Sequence, residues 1–364
     1  MGLTSATLLI CAVLCTVLVF AAAVWLWPRL VRPGARQVLG RMGALVVIQA
    51  FVFASVALAA NRTFLLYSSW EDLLGQTRQQ AAPVGAAAMQ VLGRQAPEVP
   101  GGANPQAGGV IEKVMVHGGR SRTAAQAYVY LPPEYFQKGN EHRKFPAAVV
   151  LTGFPGMAEN LLKGLRYPKT AWTQVKQKKM QPMILVMMRP TIAPANTQCI
   201  DVPGGPQSET FFGTDVTKAI SSTYRVGTSP RNWGIMGDST GGYCALKMTL
   251  QHPETYAAGV SLSAEYKPEI DSDSGDLFHG NKNEEKRSDL LWHLDHKPQR
   301  NSSFLVTSSH QGEPNLKATQ QFIKKVKAPA HVSSIILDRG GHTFNTWRRE
   351  IPPALQWLRG RLGT

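Results

Sequence analysis

Between residues 6 and 27 the chain carries no charged side chain. At ~1.5 Å per residue that run makes about 33 Å of helix, enough to cross the hydrocarbon core of a bilayer. A second uncharged run, residues 42–61, has Leu45, Val46, Val47, Ile48, Phe51, Val52, Phe53 and Val56 at its heart. The two runs are expected to be transmembrane helices, and residues 1–62 a two-helix membrane anchor. Between them lie Arg29, Arg32, Arg36 and Arg41 with no acidic residue, so the positive-inside rule puts the short loop in the cytoplasm. The N-terminus and everything beyond Asn61 are then extracytoplasmic. Ala57-Leu58-Ala59 also fits the small-x-small pattern of a cleaved signal, but a cleaved signal begins at the chain start, and here a full apolar span precedes it. Anchoring is the preferred reading, and both readings export the bulk of the protein.

Residues 63–109 are expected to be a juxtamembrane helix and a linker to the rest of the chain. Phe64, Leu65, Trp70, Leu73 and Leu74 alternate with polar residues, and Tyr67 and Trp70 suit the membrane interface. From residue 79 to 109 the chain turns to Ala, Gly, Pro and Gln, with Pro83, Pro97, Pro100 and Pro105. Such a segment buries too little apolar surface to offset its ordering entropy, which predicts a flexible tether.

The formal net charge is +15, from 39 Lys and Arg against 24 Asp and Glu. These basic residues are scattered, without a long basic run or an interleaved aromatic ladder, so nucleic acid is not an expected partner. None of the four cysteines is spaced C-x-x-C, and neither a metal nor an organic cofactor is implied. Cys11 and Cys15 fall in the first span as packing residues. Cys199 and Cys244 lie in the exported part, where disulfides are permitted, and a bridge or two separate thiols both remain open.

Residues 110–364 read as one extracytoplasmic domain. Strand candidates recur at 125–131, 147–151, 183–188, 233–236, 257–261, 304–307 and 332–337. Helical stretches at 215–224, 242–251, 316–326 and 347–360 are interspersed with them. Buried apolar strands alternating with helices predict an α/β fold with a mostly parallel sheet covered on both faces. The first strands, before Pro132-Pro133, are expected to add an antiparallel edge.

The chemistry concentrates after the run Trp233-Gly234-Ile235-Met236. There Gly237-Asp238-Ser239-Thr240-Gly241 has the G-x-S-x-G pattern between a strand and a helical run, the context of a nucleophile elbow. Ser239 is the candidate nucleophile. A serine hydroxyl needs a base to remove its proton, and His342, in Gly340-Gly341-His342 between the last strand and the last helix, is the candidate. His252, His279, His293 and His296 are weaker ones. The acid that orients the imidazole is expected in the loop after strand 304–307, where Glu313 is the single carboxylate. Its rival is Asp338, four residues before His342. Two backbone amides complete an oxyanion hole: Thr240, after the nucleophile, and Phe154, in the loop Thr152-Gly153-Phe154-Pro155-Gly156.

These residues resemble the putative-esterase family of α/β-hydrolases, which includes bacterial mycolyltransferases, feruloyl esterases and S-formylglutathione hydrolases. The resemblance spans roughly residues 110–358. It rests on the Gly153 loop, on Glu209-Thr210-Phe211-Phe212, on the Ser239 elbow, and on Gly340-Gly341-His342 followed by Trp347. It implies an α/β-hydrolase fold and a triad of Ser239, Glu313 and His342. Two tandem spans and a tether ahead of the domain are similar to exported actinobacterial members. Thr152 departs from the family, standing where many members have His or Asp.

The expected function is that of a membrane-anchored extracytoplasmic serine esterase or acyltransferase. Its substrate would be an ester, lipid and cell-wall glycan acyl esters among them. The alternative is a noncatalytic α/β-hydrolase-like domain that binds a cell-envelope component.

Overall fold

The runs at 147–151 and 184–188 contain no polar position. Strands there must therefore be covered on both faces, and that requirement sets the architecture. The computed structural model describes residues 2–3, 5–31, 34–64, 70–73, 88–192 and 195–363. Its contacts divide the chain into two units, residues 1–78 and 79–364.

The first unit holds α1 (Ala6–Leu30) and α2 (Ala35–Phe64), both long and apolar enough to cross a membrane. Thr16 ties them together: its Oγ1 lies 3.0 Å from Ser55 Oγ and donates to the carbonyls of Ala12 (2.8 Å) and Phe51 (3.2 Å). Their outer faces leave large apolar side chains uncovered, with Leu18, Trp25 and Phe53 each about 70% exposed or more. Residues 70–73 form a single helical turn. Leu65, Tyr67 and Leu74 of the expected interfacial stretch lie outside the described residues.

The second unit is built on nine strands: β1 (Met89–Gln95), β2 (Val110–Gly118), β3 (Thr123–Leu131), β4 (Ala147–Leu151), β5 (Ile184–Met188), β6 (Trp233–Asp238), β7 (Ala258–Leu262), β8 (Ser303–Gln311) and β9 (His331–Arg339). They pair in the order β1-β2-β3-β5-β4-β6-β7-β8-β9. From β5 to β9 every pairing is parallel, and β1, β2 and β3 add the antiparallel edge. The expected fold class is observed.

Strand alternation sends successive side chains to opposite faces. Val149 and Leu151 of β4, with Val186 of β5 and Ile235 of β6, enter one core layer under α4 (Val216–Thr223), α5 (Thr240–Gln251) and α8 (Leu316–Lys325). Ala148, Val150, Leu185 and Met236 enter the other, under α3 (Tyr167–Lys176) and α9 (Phe344–Arg361). Between β7 and β8 the chain makes α6 (Lys282–Ser288) and α7 (Leu290–His296), whose Lys282, Glu285, Lys286 and Trp292 line a cleft.

One expectation needs correction. Residues 89–95, read as tether from their sequence, form the edge strand β1 and pair with β2, with a register shift between Val91 and Gly93. All but the first residue of this strand are exposed. An edge strand that buries almost nothing has no reason to alternate apolar and polar residues, so no periodic signal marks it.

Candidate active site

The elbow is built by close approach. A Cβ at Gly237 would sit 2.4 Å from the Gly241 carbonyl carbon and 2.7 Å from the Leu151 oxygen, and one at Gly241 would sit 2.4 Å from that same oxygen. Both positions therefore exclude any side chain. The turn between them throws Ser239 into a strained conformation, φ 53° and ψ −122°, at the N-terminus of α5. Such strain in a non-glycine residue costs on the order of 1–3 kcal/mol and persists because the surroundings hold it. Here Ser239 N–H donates to Leu262 O (2.9 Å), and Tyr243 N–H donates back to Ser239 O (3.0 Å).

Ser239, Thr240 and His342 line one pocket of about 220 Å³, with Gln198, Glu265 and Glu269 among its other walls. His342 Nδ1 lies 3.3 Å from Glu313 Oε2, and the Glu313 side chain is fully buried while the imidazole is 44% exposed. A carboxylate on Nδ1 holds the proton there and leaves Nε2 free to accept one. Burial opposes charge on His342. The hydrogen bond and field of Glu313, joined by Asp238 and Glu265, outweigh it and raise the imidazole above the ordinary histidine value.

Glycines bring these two loops together as well. Gly312 has φ 101°, and its Cα packs against the Gly340 carbonyl, while Gly340 N–H donates to Gln311 O (3.0 Å). The indole of Trp347 meets the His342 ring edge-to-face at 4.9 Å. Asp338 stays exposed on β9. His252 bonds Glu209 and Glu254, and burial lowers the His293 pKa to about 4.

Of the expected oxyanion donors, Thr240 lines the pocket, whereas Phe154 lies on the adjoining loop. That loop reaches the elbow at Gly153, where a Cβ would lie 3.0 Å from the Ser239 Cβ. Thr152, the departure from the family pattern, shapes it: its hydroxyl lies 2.8 Å from Gly153 O and 2.9 Å from Gly156 O.

Asp238 was not singled out by its sequence, yet it joins the two loops. Its Oδ2 accepts from Gly153 N–H at 2.9 Å, while Oδ1 is buried with no hydrogen-bond partner among the described residues. Burial, opposed by the Gly153 N–H and by His342, pushes its pKa up to about 7. Between the ordinary aspartate value and about 7 the folded state holds a proton that the unfolded chain releases, so this group's stabilising contribution is present in acid and lost as pH rises. Asp238→Asn removes that dependence. The stability of the variant relative to the wild type is expected to increase by about 2–4 kcal/mol between about pH 4 and pH 8, read by urea denaturation at each pH. A pH-independent difference would refute the assignment.

Behind the elbow, α5 carries a fully buried Lys247 that donates to the Cys199 carbonyl (2.9 Å) and pairs with Glu209. Arg287 of α6 reaches both Glu209 oxygens at 2.7 Å, and His252 Nε2 lies 3.0 Å away. Burial alone would raise Glu209. Lys247, His252 and Arg287 outweigh it and hold the carboxyl well below the usual range. Cys199 and Cys244, left open by the sequence, form a disulfide with Cα atoms 5.6 Å apart.

A mostly parallel sheet with a serine elbow beneath a histidine loop defines an α/β-hydrolase. Residues 120–358 match the family described as Putative esterase, to which this chain belongs. An uncharacterised protein of Corynebacterium glutamicum is 25% identical over 250 residues, 66% of this chain and 58% of that protein, so the chain spans little more than half of this relative. Among solved structures, the S-formylglutathione hydrolase of Agrobacterium tumefaciens superposes with a TM-score of 0.60 at 16% identity, covering 75% of this chain and all of that one. A ferulic acid esterase gives 0.58 at 18% identity, covering 69% and 97%. The fluorophosphonate-binding serine hydrolase F of Staphylococcus aureus gives 0.56 at 16%, covering 68% and 97%.

Proposed function

We propose that the second unit is a serine esterase or acyltransferase that works through an acyl-enzyme, with Ser239 as nucleophile, His342 as base and Glu313 as the orienting acid. The observation that carries this reading is a strained serine sharing a pocket with a histidine whose Nδ1 faces a buried carboxylate. Ser239 Oγ attacks the ester carbonyl as His342 Nε2 takes its proton. The carbonyl oxygen becomes an oxyanion held by the Thr240 and Phe154 amides and the N-terminus of α5. Collapse breaks the bond to the alcohol, which leaves with the proton from His342. Water or an acceptor hydroxyl, deprotonated by the same histidine, then attacks the acyl carbon and restores Ser239. The neighbouring folds named for ester substrates support the reaction class. Hydrolysis of p-nitrophenyl acetate by the purified protein, with a burst of p-nitrophenol ahead of steady turnover, tests it; a folded protein with no ester turnover would contradict it.

The same reading places α1 and α2 in a bilayer, because apolar side chains such as Phe53 and Trp25 would otherwise face water, and the arginine-only connection sets the orientation. The pocket then opens outside the cell, within reach of lipid or cell-wall glycan acyl esters. Reporter fusions are expected to show a cytoplasmic tag inserted near Arg36 and an external tag at Thr364. An active cytoplasmic reporter at Thr364 would overturn the orientation.

A further inference from the structure

The catalytic pocket is not closed off on the side of α6 and α7. A larger cleft of about 890 Å³ adjoins it and shares the wall residues Glu265, Lys267 and Glu269. Eight of the twelve residues lining that cleft are charged, and the remainder include Phe278 and Trp292. An alkyl chain laid there would strip water from charged groups without replacing their hydrogen bonds, whereas a bulky portion rich in polar groups would satisfy them.

The shared wall does not stand by itself. Gln198, almost fully buried in the catalytic pocket, holds it with both ends of its amide: Oε1 accepts from Glu269 N–H at 2.8 Å and Nε2 donates to Glu269 O. Two residues earlier, Asn196 N–H donates to Asp273 O at 2.9 Å. The loop making these contacts is itself constrained, since Gln198 and Cys199 have φ of 47° and 54°, conformations that non-glycine residues adopt only when held. What holds them is α5: the Cys199–Cys244 disulfide and the bond from Lys247 to the Cys199 carbonyl fasten the loop to the helix whose first turn follows Ser239.

We infer that Gln198, clamped to the nucleophile helix by the Cys199–Cys244 disulfide, is a specificity-determining residue that fixes the Glu265–Glu269 wall, and that the cleft beyond this wall takes a bulky polar portion of the ester substrate. This rests on the esterase reading of Ser239 and names the substrate class for that site. Neither Gln198 nor the disulfide takes part in bond making; their effect is on binding of the distal portion.

The experiment compares four esters on the full-length protein in detergent: p-nitrophenyl acetate, p-nitrophenyl octanoate, the p-nitrophenyl ester of N-tert-butoxycarbonyl-glutamine, and an acetate ester of a bulky polyhydroxylated alcohol. The wild type is expected to prefer one of the two bulky polar esters over the octanoate. In Gln198→Ala and Gln198→Glu the ratio of kcat/KM for that ester to kcat/KM for the acetate should fall about tenfold or more, carried by KM. Glutamate can accept from Glu269 N–H but, when ionised, cannot donate to its carbonyl, so it tests the two-ended contact rather than the volume. A Cys199→Ala/Cys244→Ala variant should lose selectivity in the same direction; if it does not fold, the two Gln198 variants decide. A ratio within about twofold of wild type in folded Gln198 variants, or a wild-type preference for the octanoate over both polar esters, would overturn the inference. Ser239-dependent turnover of the acetate is a separate readout, so failure of the clamp and failure of the esterase reading remain distinguishable.

Discussion

Replacing Ser239 with alanine is expected to lower kcat for any ester substrate by roughly 10⁴- to 10⁶-fold while the fold persists, because the acyl-enzyme has no other oxygen on which to form. His342→Ala should cost about as much: without the imidazole the hydroxyl keeps its proton, and the departing alcohol has no acid. The double variant should be little worse than either single one, since the two residues act as a unit and removing one already disables the other. The residual rate above water would come from the Thr240 and Phe154 amides and from substrate binding. Steady-state kinetics on the three variants, with circular dichroism to verify folding, read this out. Additive losses would mean that the two side chains serve different steps.

The second large effect separates two carboxylates. Glu313→Gln keeps the shape of the acid but removes the charge that faces His342 Nδ1 at 3.3 Å, and kcat/KM is expected to fall about 10²- to 10⁴-fold. Asp338, exposed on β9, should tolerate Asn with less than about a threefold loss. The pH profile adds a sign. His342 must be neutral to act as base, and Glu313 raises its pKa, so the acidic limb of kcat/KM in the wild type lies above the ordinary histidine value. Removing the Glu313 charge should move that limb toward lower pH even as the maximum rate falls. A normal Glu313→Gln enzyme beside an inactive, folded Asp338→Asn would reassign the acid.

How much of this was legible in the sequence depends on how local each cause is. Gly237-Asp238-Ser239-Thr240-Gly241 advertises its turn because the glycines are dictated by contacts within the motif and with the neighbouring β4, where Leu151 O leaves no room for a Cβ. β4 and β5 are equally plain, since burial on both faces forces unbroken apolar runs. The loop before His342 shows itself through Gly340, where a Cβ would lie 2.6 Å from Thr346 Cγ2 and 2.7 Å from Ser309 Oγ. Asp238 and Gln198 carry no such mark. Their roles come from partners 85 and 71 residues away, Gly153 and Glu269, and a polar residue at a strand end or in a loop looks the same whether water or a buried amide receives it. The pairing of Cys199 with Cys244 was open for that reason also: two cysteines outside the apolar spans permit a bridge, but only the fold brings their Cα atoms to 5.6 Å. Strand β1 was hidden by the opposite circumstance, an exposed edge that asks nothing of its side chains.

The central claim is that Ser239 is an activated nucleophile, and a fluorophosphonate probe tests it most directly because it forms a covalent bond with an activated serine whatever the natural ester may be. Mass spectrometry of the labelled full-length protein should place one adduct on the peptide containing Ser239, with labelling abolished by Ser239→Ala and slowed by Glu313→Gln. A folded protein that takes up no probe, or labelling that survives Ser239→Ala, would contradict the account.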